Sequence, residues 1–353
     1  MQSFALILHK QIQTAEAKQV VRMKDIADAC GVSVATVSRA LNGVPTISRE
    51  QTLLITRTAK EMGYYPNAAA RTLKTSRSFN IGILYEDRLD HEYFSSLLNA
   101  LRGEAELRGY DLTLISRDDA ETADNNYYEH ARRRNLDGVI VIQADFDSAG
   151  VMRLATSSIP SVIIDHMYTG CDCVGSDNRA SVEQLVRYAF SLGHRRIAFV
   201  AGQQGAVGRE RLAGYYKVCA ELGIRAPESY VREGSFHDPD LCAKIILELL
   251  ADEDKPTCIL CPDDFSCLGA ISRLSDHGIR VPEDLSLIGY DGITIGQMIR
   301  PFLTTYRQNT AEIAHEAIGL LLEAVEHPDE HQPRQIIVEG KLIPGETTAE
   351  LSR

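Results

Sequence analysis

Residues 31–39, Gly-Val-Ser-Val-Ala-Thr-Val-Ser-Arg, constrain the fold of this chain more than any other segment. The preceding residues 23–30 carry apolar side chains at helical spacing, which predicts a short amphipathic helix. Gly31 allows a tight turn, and Ser33 can cap the helix that follows. A third helix is predicted over residues 49–62. Together these features predict a helix-turn-helix, an arrangement that places its second helix on DNA.

The second predicted helix has two chemically different faces. Val37 and Leu41 repeat inward at helical spacing. The opposite face combines small apolar side chains with an Arg, a combination that suits the edge of a base pair better than bulk water. The residues on this face are Val34, Ala35, Ser38, Arg39 and Asn42.

The charge of the chain is divided unevenly. Residues 22–80 contain nine Lys or Arg and four Asp or Glu, whereas the whole chain of 353 residues carries a net charge of -12. A basic head suits phosphate binding, and an acidic body stays off the duplex. Uneven surface charge without a function is the alternative explanation. The length predicts two or three domains.

The cysteine pattern and the hydropathy limit the compartment and the cofactors. Eight cysteines are scattered along the chain, which predicts a reducing environment. Cys258 and Cys261 lie in an apolar run that predicts a buried strand, so we expect neither a metal nor another cofactor. No segment approaches the roughly 20 apolar residues of a membrane span. We expect a soluble, cytoplasmic, nucleoid-associated protein without membrane contacts.

The predicted domain organisation follows these changes of pattern. Residues 1–21 are expected to be a disordered leader, with Met23 as a possible native start. Residues 22–66 form the predicted helix-turn-helix domain, and residues 67–79 form a linker with a helix too short to be stable alone. Residues 80–348 are predicted to bind an effector and to dimerise.

Short β-branched runs alternate with helical patterns beyond residue 80, which predicts an α/β fold with parallel sheets. Polar residues follow many of these runs, at the strand ends where parallel sheets bind ligands. The body therefore has the pattern of a small-molecule receptor with a carboxylate-rich pocket. Loops are polar in any protein, so any single one of these residues can equally be structural.

Six motifs in order carry a family resemblance. They are Met-Lys-Asp-Ile-Ala at 23–27, Val-Ser-Arg-Ala-Leu-Asn at 37–42, Gly-Tyr-Tyr-Pro-Asn at 63–67 with Ala-Arg-Thr-Leu at 70–73, Leu-Gly-His-Arg-Arg-Ile at 192–197, Arg-Leu-Ala-Gly-Tyr at 211–215 and Leu-Ile-Gly-Tyr-Asp at 287–291. The chain resembles the LacI/GalR family of bacterial transcription regulators over nearly all of residues 23–348.

The resemblance implies a homodimer that binds a palindromic double-stranded operator, with a hinge helix in the minor groove. It also implies a body of two α/β lobes, similar to periplasmic sugar-binding proteins, that close around a small-molecule effector. The implied lobes are an N-lobe of about residues 80–177 and 309–336 and a C-lobe of about residues 178–306 and 337–348.

The implied DNA contacts fall in the helix-turn-helix and in the linker. Base contacts in the major groove fall on Val34, Ala35 and Arg39, and phosphate contacts on Thr36, Ser38 and Asn42. Contacts in the minor groove fall on Leu73 and Lys74, with Leu73 as an apolar wedge between base pairs. Packing within the hinge helix is the alternative role of Leu73.

The implied effector site combines carboxylates, an Arg and aromatic rings. Arg211 and Asp291 match the effector-contacting positions of the family, and Asp263 stands where many relatives have Asn. Carboxylates with an Arg suit a polyol such as a sugar, and a flat ring can cover its apolar face. The aromatic residues can instead belong to the core. The full set is Asp87, Tyr93, Phe94, Asp165, Arg211, Phe236, Asp263, Asp264, Asp291 and Gln308.

The sequence thus predicts a sequence-specific transcriptional regulator, a sugar-responsive repressor that its effector releases from the operator. One alternative is a corepressor-dependent regulator that answers a purine or a phosphorylated partner protein. Residues 202–208 lack the Arg that purine-responsive members carry, which disfavours the purine. A sugar-binding protein or a carbohydrate enzyme is a further alternative, although no nucleophile is identifiable, and we expect no enzymatic activity.

Overall fold

The computed structural model describes residues 21–41, 46–64, 77–86, 91–115, 126–203 and 205–351. The chain divides after Ser78 into two compact units, a head and a body, and each is described separately below.

The head contains three helices, α1 (Met23–Cys30), α2 (Val34–Leu41) and α3 (Arg49–Glu61). Gly31 ends α1 in the left-handed region, at φ 65°. The Ser33 hydroxyl accepts a hydrogen bond of 3.1 Å from the Thr36 amide at the start of α2. One apolar side chain from each helix is fully buried between them: Ile26, Val37 and Ile55. The predicted helix-turn-helix is confirmed.

Strands and helices alternate along the body. The strands are β1 (Asn80–Leu84), β2 (Asp111–Ile115), β3 (Gly138–Val141), β4 (Ser161–Ile164), β5 (Asp172–Ser176), β6 (Ile197–Ala201), β7 (Val231–Glu233), β8 (Cys258–Leu260), β9 (Ser286–Asp291), β10 (Thr304–Arg307), β11 (Gln335–Val338) and β12 (Lys341–Ile343). The helices are α4 (Glu92–Leu107), α5 (Tyr127–Arg133), α6 (Ala149–Ala155), α7 (Asn178–Ser191), α8 (Ala206–Leu222), α9 (Pro239–Ala251), α10 (Asp264–Asp276) and α11 (Thr310–Glu326).

The strands form two six-stranded sheets with equivalent topology. The first sheet has the order β11-β5-β4-β3-β1-β2, and the second has the order β12-β10-β9-β8-β6-β7. All pairs are parallel except β10 with β12. The predicted α/β fold is confirmed. The apolar runs that predict strands in the sequence, residues 81–85, 112–116, 138–142, 161–165, 196–202, 257–261 and 285–291, do not include β5, β7, β10, β11 and β12. Of these, β5, β7 and β10 contain Asp, Arg or Thr among few apolar residues, and β12 has only three residues.

Each sheet lies at the centre of one lobe, and the chain crosses between the lobes three times. The crossings follow β5, β10 and β11. After the second crossing, α11 returns to the first lobe and packs in its core. The third crossing lies between Val338 and Lys341, slightly later than the predicted residue 336, because β11 continues its pairing with β5 to Val338.

The cysteines of the body are part of its packing. Cys258 and Cys261 are buried, and Cys258 begins the predicted strand β8. All eight cysteines are free thiols. Within the described part of the chain, none of the helices combines the length and the apolar character that crossing a membrane requires.

Candidate functional site

A cavity of about 650 Å³ opens between the two lobes of the body. Most of its lining comes from residues at or after the carboxyl ends of β1, β3, β4, β6, β7, β9 and β10. Parallel α/β sheets bind ligands at this edge, because the loops there converge and the strand ends leave backbone groups available. The cavity is therefore the candidate binding site of the body.

Two carboxylates occupy equivalent places on the two sides of this cavity. Asp165 follows β4 of the first lobe, and Asp291 ends β9, the corresponding strand of the second lobe. Both residues have positive φ, at 61° and 112°, a conformation that is uncommon outside glycine. Burial raises the pKa of both carboxyl groups, that of Asp291 to about 7. Loss of water at these groups favours a ligand that donates hydrogen bonds to them.

A chain of hydrogen bonds joins these two carboxylates across the lobes. The Tyr93 hydroxyl and the Ser176 amide donate to Asp165, at 2.9 and 3.5 Å. The Ser176 hydroxyl donates to Oε1 of Gln308, and Nε2 of Gln308 donates to Asp291 at 2.7 Å. Ser176 and Gln308 lie at two of the three crossings between the lobes. The site and the connection between the lobes thus share one network.

The Arg211 side chain supplies the buried cation of the site. It is only 7% exposed, and it donates to Oδ1 of Asn178 at 2.9 Å and to the carbonyl oxygen of Pro262 at 3.0 Å. Its guanidinium carbon lies 3.4 Å from the centroid of the Tyr290 ring, a cation–π contact. These contacts fix the guanidinium, and its remaining N–H groups are available to a ligand in the cavity.

The Phe236 ring forms an aromatic wall of the cavity. The ring lies against the backbone of residue 202, where a Cβ would be 2.1 Å from Cζ of Phe236. Only glycine fits at this position, so Gly202 allows the ring to lie where it does. The Arg211 guanidinium carbon lies 5.6 Å from the ring centroid, which places the ring beside the charged end of the cavity.

The structure thus brings together Tyr93, Asp165, Arg211, Phe236, Asp291 and Gln308 around one cavity. Phe94 does not belong to this group, contrary to the prediction. It is fully buried in the core of the first lobe, with its ring centroid 5.4 Å from that of Tyr85. Consecutive residues of a helix point about 100° apart, and here Tyr93 faces the cavity while Phe94 faces the core.

Asp263 is a helix cap and not part of the cavity lining, also contrary to the prediction. Its carboxylate accepts the amide and the hydroxyl of Ser266, at 2.7 and 2.8 Å, at the start of α10. It also accepts the amide of His237 at 2.9 Å. Since His237 lines the cavity, Asp263 positions this neighbouring loop, and its charge also contributes to the raised pKa of Asp291.

Asp264 is likewise an internal carboxylate. It is fully buried and accepts the amides of Gly292 and Ile293, at 2.7 and 2.9 Å, and the hydroxyl of Thr305 at 2.6 Å. Three internal donors leave it little capacity for a ligand, and it does not line the cavity. Its role in the structure is to fix the turn that follows Asp291.

Several cavity residues were absent from the predicted set. Phe146 and Asp147 lie in the loop after β3, His166 follows Asp165, and Arg209 lies in α8. The sequence Asp-Phe-Asp at 145–147, an aromatic residue between two carboxylates after a strand, is a pattern that could have identified the first of these loops. Asn178 and His237 also line the cavity.

The exposed face of α2 carries the predicted base-contacting residues. Val34, Ala35 and Arg39 are exposed, and the Val34 side chain is 45% exposed. Thr36 and Ser38 are half-buried, and the Thr36 hydroxyl lies 2.8 Å from that of Ser33. The predicted contacts at Asn42, Leu73, Lys74 and Asp87 lie outside the described residues.

Comparisons with known proteins match both the head and the body to known protein families. The sequence model of the bacterial regulatory proteins of the lacI family matches residues 22–67, and that of the periplasmic binding protein-like domain matches residues 186–348. The HTH-type transcriptional repressor PurR of Haemophilus influenzae (strain PittEE) is 30% identical over 311 residues, which cover 87% of this chain and 92% of that protein. PurR of an Escherichia coli O139:H28 strain is 29% identical over 333 residues, covering 93% of this chain and 97% of that protein.

A solved structure of the lac repressor dimer, bound to operator and the anti-inducer ONPF, has the same fold. The TM-score is 0.75 at 25% identity, and the match covers 94% of this chain and 100% of that chain.

A helix-turn-helix head followed by a two-lobed binding body defines a ligand-responsive DNA-binding regulator. The chain belongs to the LacI family of bacterial regulatory proteins. It is a DNA-binding transcriptional repressor, and repressors of this family bind operator DNA and small-molecule effectors and act as dimers.

Proposed function

We propose that this protein is a sugar-responsive repressor, which an effector bound in the interlobe cavity releases from a palindromic operator. The observation that carries the proposal is the pair of half-buried carboxylates, Asp165 and Asp291, held on opposite sides of one cavity beside Arg211. Hydroxyl groups of a sugar donate to carboxylates and accept from a guanidinium. The Phe236 ring supplies the flat surface that covers the apolar face of a pyranose.

The proposed contacts follow from this chemistry. Asp165 and Asp291 accept from sugar hydroxyls, Arg211 donates to them, and Phe236 stacks on the ring. Tyr93 and Gln308 hold the two carboxylates through the hydrogen bonds described above. We include Asp87 in the site from its position after β1.

On the DNA side, we propose that a homodimer places two copies of α2 in successive major grooves. Val34, Ala35 and Arg39 contact bases, and Thr36, Ser38 and Asn42 contact phosphates. The residue 67–79 segment supplies the hinge helix, with Leu73 and Lys74 in the minor groove. In this organisation residues 22–66 bind DNA and residues 80–348 bind the effector in the cytoplasm.

Effector binding and DNA binding are proposed to be coupled through the relative position of the lobes. A ligand that contacts Asp165 from one lobe and Asp291 from the other favours one lobe arrangement over others. The three interlobe crossings transmit this preference to the dimer, and so to the spacing of the hinge helices. A tenfold change in operator affinity requires only about 1.4 kcal/mol of such coupling.

Calorimetric titration of the full chain with a panel of monosaccharides and disaccharides tests the effector site. We expect at least one sugar to bind, and we expect D165N/D291N to lose that binding. D240N is the matched control, because Asp240 is an exposed carboxylate of α9 paired with Arg273. Retained binding by the double variant, or equal loss in the control, contradicts the proposed site.

A further inference from the structure

The interlobe cavity has a buried end and an open end. At the buried end, Arg211 is held by Asn178 and by the carbonyl oxygen of Pro262. Arg209, only two residues earlier in α8, also lines the cavity, but its side chain is exposed. A volume of about 650 Å³ is typical of cavities that hold drug-sized molecules, which are larger than a single pyranose. Space therefore remains when one ring occupies the buried end.

A second aromatic surface lines this cavity, apart from Phe236. The Phe146 ring, in the loop after β3, stacks on the His166 ring with centroids 4.3 Å apart and planes only 10° from parallel. Both rings line the cavity, and both belong to the first lobe, whereas Phe236 belongs to the second. Two aromatic surfaces on opposite lobes provide one flat surface for each of two ligand rings.

The polar groups beside the second surface suit sugar hydroxyls. Asp147 and Arg209 line the cavity and lie close enough to His166 to influence its ionisation. Burial, and then the charge of Arg209, lowers the pKa of His166, so its imidazole is neutral at neutral pH. A neutral ring stacks as a flat, weakly polar surface, while Asp147 accepts and Arg209 donates hydrogen bonds at its edge.

We propose that Phe146 and His166 form a second ring-binding subsite, and that the effector is an oligosaccharide of at least two rings. This inference rests on the proposed function, since it assumes that a sugar occupies the cavity. The first ring contacts Phe236, Asp165 and Asp291, and the next ring stacks on Phe146. Phe146 is then a specificity-determining residue, which selects for length without contributing to the binding of a single ring.

The test compares matched sugars on the full chain by calorimetry. The probes are D-glucose with cellobiose and maltose, and D-galactose with lactose. We expect one disaccharide to bind more tightly than its component monosaccharide. F146A is expected to weaken that disaccharide roughly fivefold, the effect of one lost stacking contact, and to leave the monosaccharide unchanged. F146L, which keeps apolar volume but lacks a flat ring, is expected to behave as F146A does.

Y168A is the matched control. Tyr168 lies at the far end of the same stack, 6.4 Å from His166, and does not line the cavity. Its removal should leave both sugars unaffected. A monosaccharide that binds as tightly as every disaccharide, or equal weakening of both by F146A, overturns the subsite while leaving the sugar site intact. Absence of binding by every probe contradicts the proposed sugar-binding function itself, and with it the subsite.

Discussion

The body has two pairs of carboxylates at the carboxyl ends of its strands, and the two pairs have different environments. After β8 of the second lobe, Asp263 and Asp264 each accept three hydrogen bonds from the protein. After β4 and at the end of β9, Asp165 and Asp291 face a cavity and accept fewer. The number of internal donors thus separates a structural carboxylate from one that is available to a ligand.

The comparison predicts that an internal carboxylate affects stability most. D264A should lower the free energy of unfolding by about 3 kcal/mol, because two buried amides and the Thr305 hydroxyl lose their acceptor. Urea denaturation of the variant and the parent protein measures this difference. A loss below about 1 kcal/mol would show that Asp264 is not the structural group that its contacts indicate.

Substitution of a cavity carboxylate should weaken effector binding and leave the stability of the protein intact. D291N is expected to weaken effector binding by about 2 kcal/mol, because a neutral amide replaces a charge-assisted acceptor. The free energy of unfolding should stay level or rise by about 1 kcal/mol at pH 8, since a desolvated charge is removed. Calorimetry and urea denaturation on the same variant test both statements. Marked destabilisation with intact binding would reverse the roles assigned to Asp291 and Asp264.

The pH dependence of effector binding tests whether the ionised Asp291 carboxylate contacts the effector. Burial raises its pKa in the free protein to about 7, so the group binds a proton below neutral pH. Hydroxyl donors of a sugar favour the ionised carboxylate, so affinity should rise with pH through about 7. We expect roughly tenfold weaker binding at pH 6 than at pH 8, and D291N should remove most of this dependence. A parent protein with equal affinity at both values contradicts the role of this carboxylate.

The raised pKa of Asp291 also makes the free energy of unfolding depend on pH. An unfolded Asp has a pKa near 3.9, so between about pH 4 and pH 7 the folded chain binds more protons at Asp291 than the unfolded chain. The contribution of this group to stability therefore decreases as pH rises through that range. Because D291N removes the contribution, the variant should gain stability relative to the parent protein as pH rises.

The smallest expected effect belongs to Gln308, whose side chain bridges Ser176 and Asp291 between the lobes. Q308M keeps the length of the side chain but loses its hydrogen bonds to Ser176 and Asp291. Effector affinity should fall by about 1 kcal/mol, the net contribution of a typical hydrogen bond. The change in operator affinity on effector binding should also decrease, because the bridge lies at a crossing between the lobes. If effector binding changed operator affinity in Q308M as much as in the parent protein, the Gln308 bridge would not be part of the coupling between the two sites.

The sequence predicted the fold well where the physical pattern was local. Apolar runs such as residues 81–85 and 257–261 identified central strands, and Gly31 with Ser33 identified the turn and cap of the head. The edge strand β7 was missed, because Val231–Glu233 contains one apolar residue. Hydrophobic periodicity requires several residues, and such short strands depend on pairing with distant segments.

For the site, the sequence located strand ends but not the donors around them. Asp264 and Asp291 both adjoin apolar strands, and only the folded chain brings Gly292, Ile293 and Thr305 to Asp264. The choice between Tyr93 and Phe94 likewise depends on how α4 packs on its sheet. Phe146 was missed because its partner, His166, lies in another loop.

The most direct test of the account measures operator binding with and without effector. A palindromic duplex selected with the full-length protein is titrated by fluorescence anisotropy, in the presence and absence of the sugar that binds most tightly in calorimetry. We expect specific binding that the sugar weakens at least about tenfold in the parent protein, and no weakening in D165N/D291N. An operator affinity that the bound sugar leaves unchanged or strengthens would contradict the account.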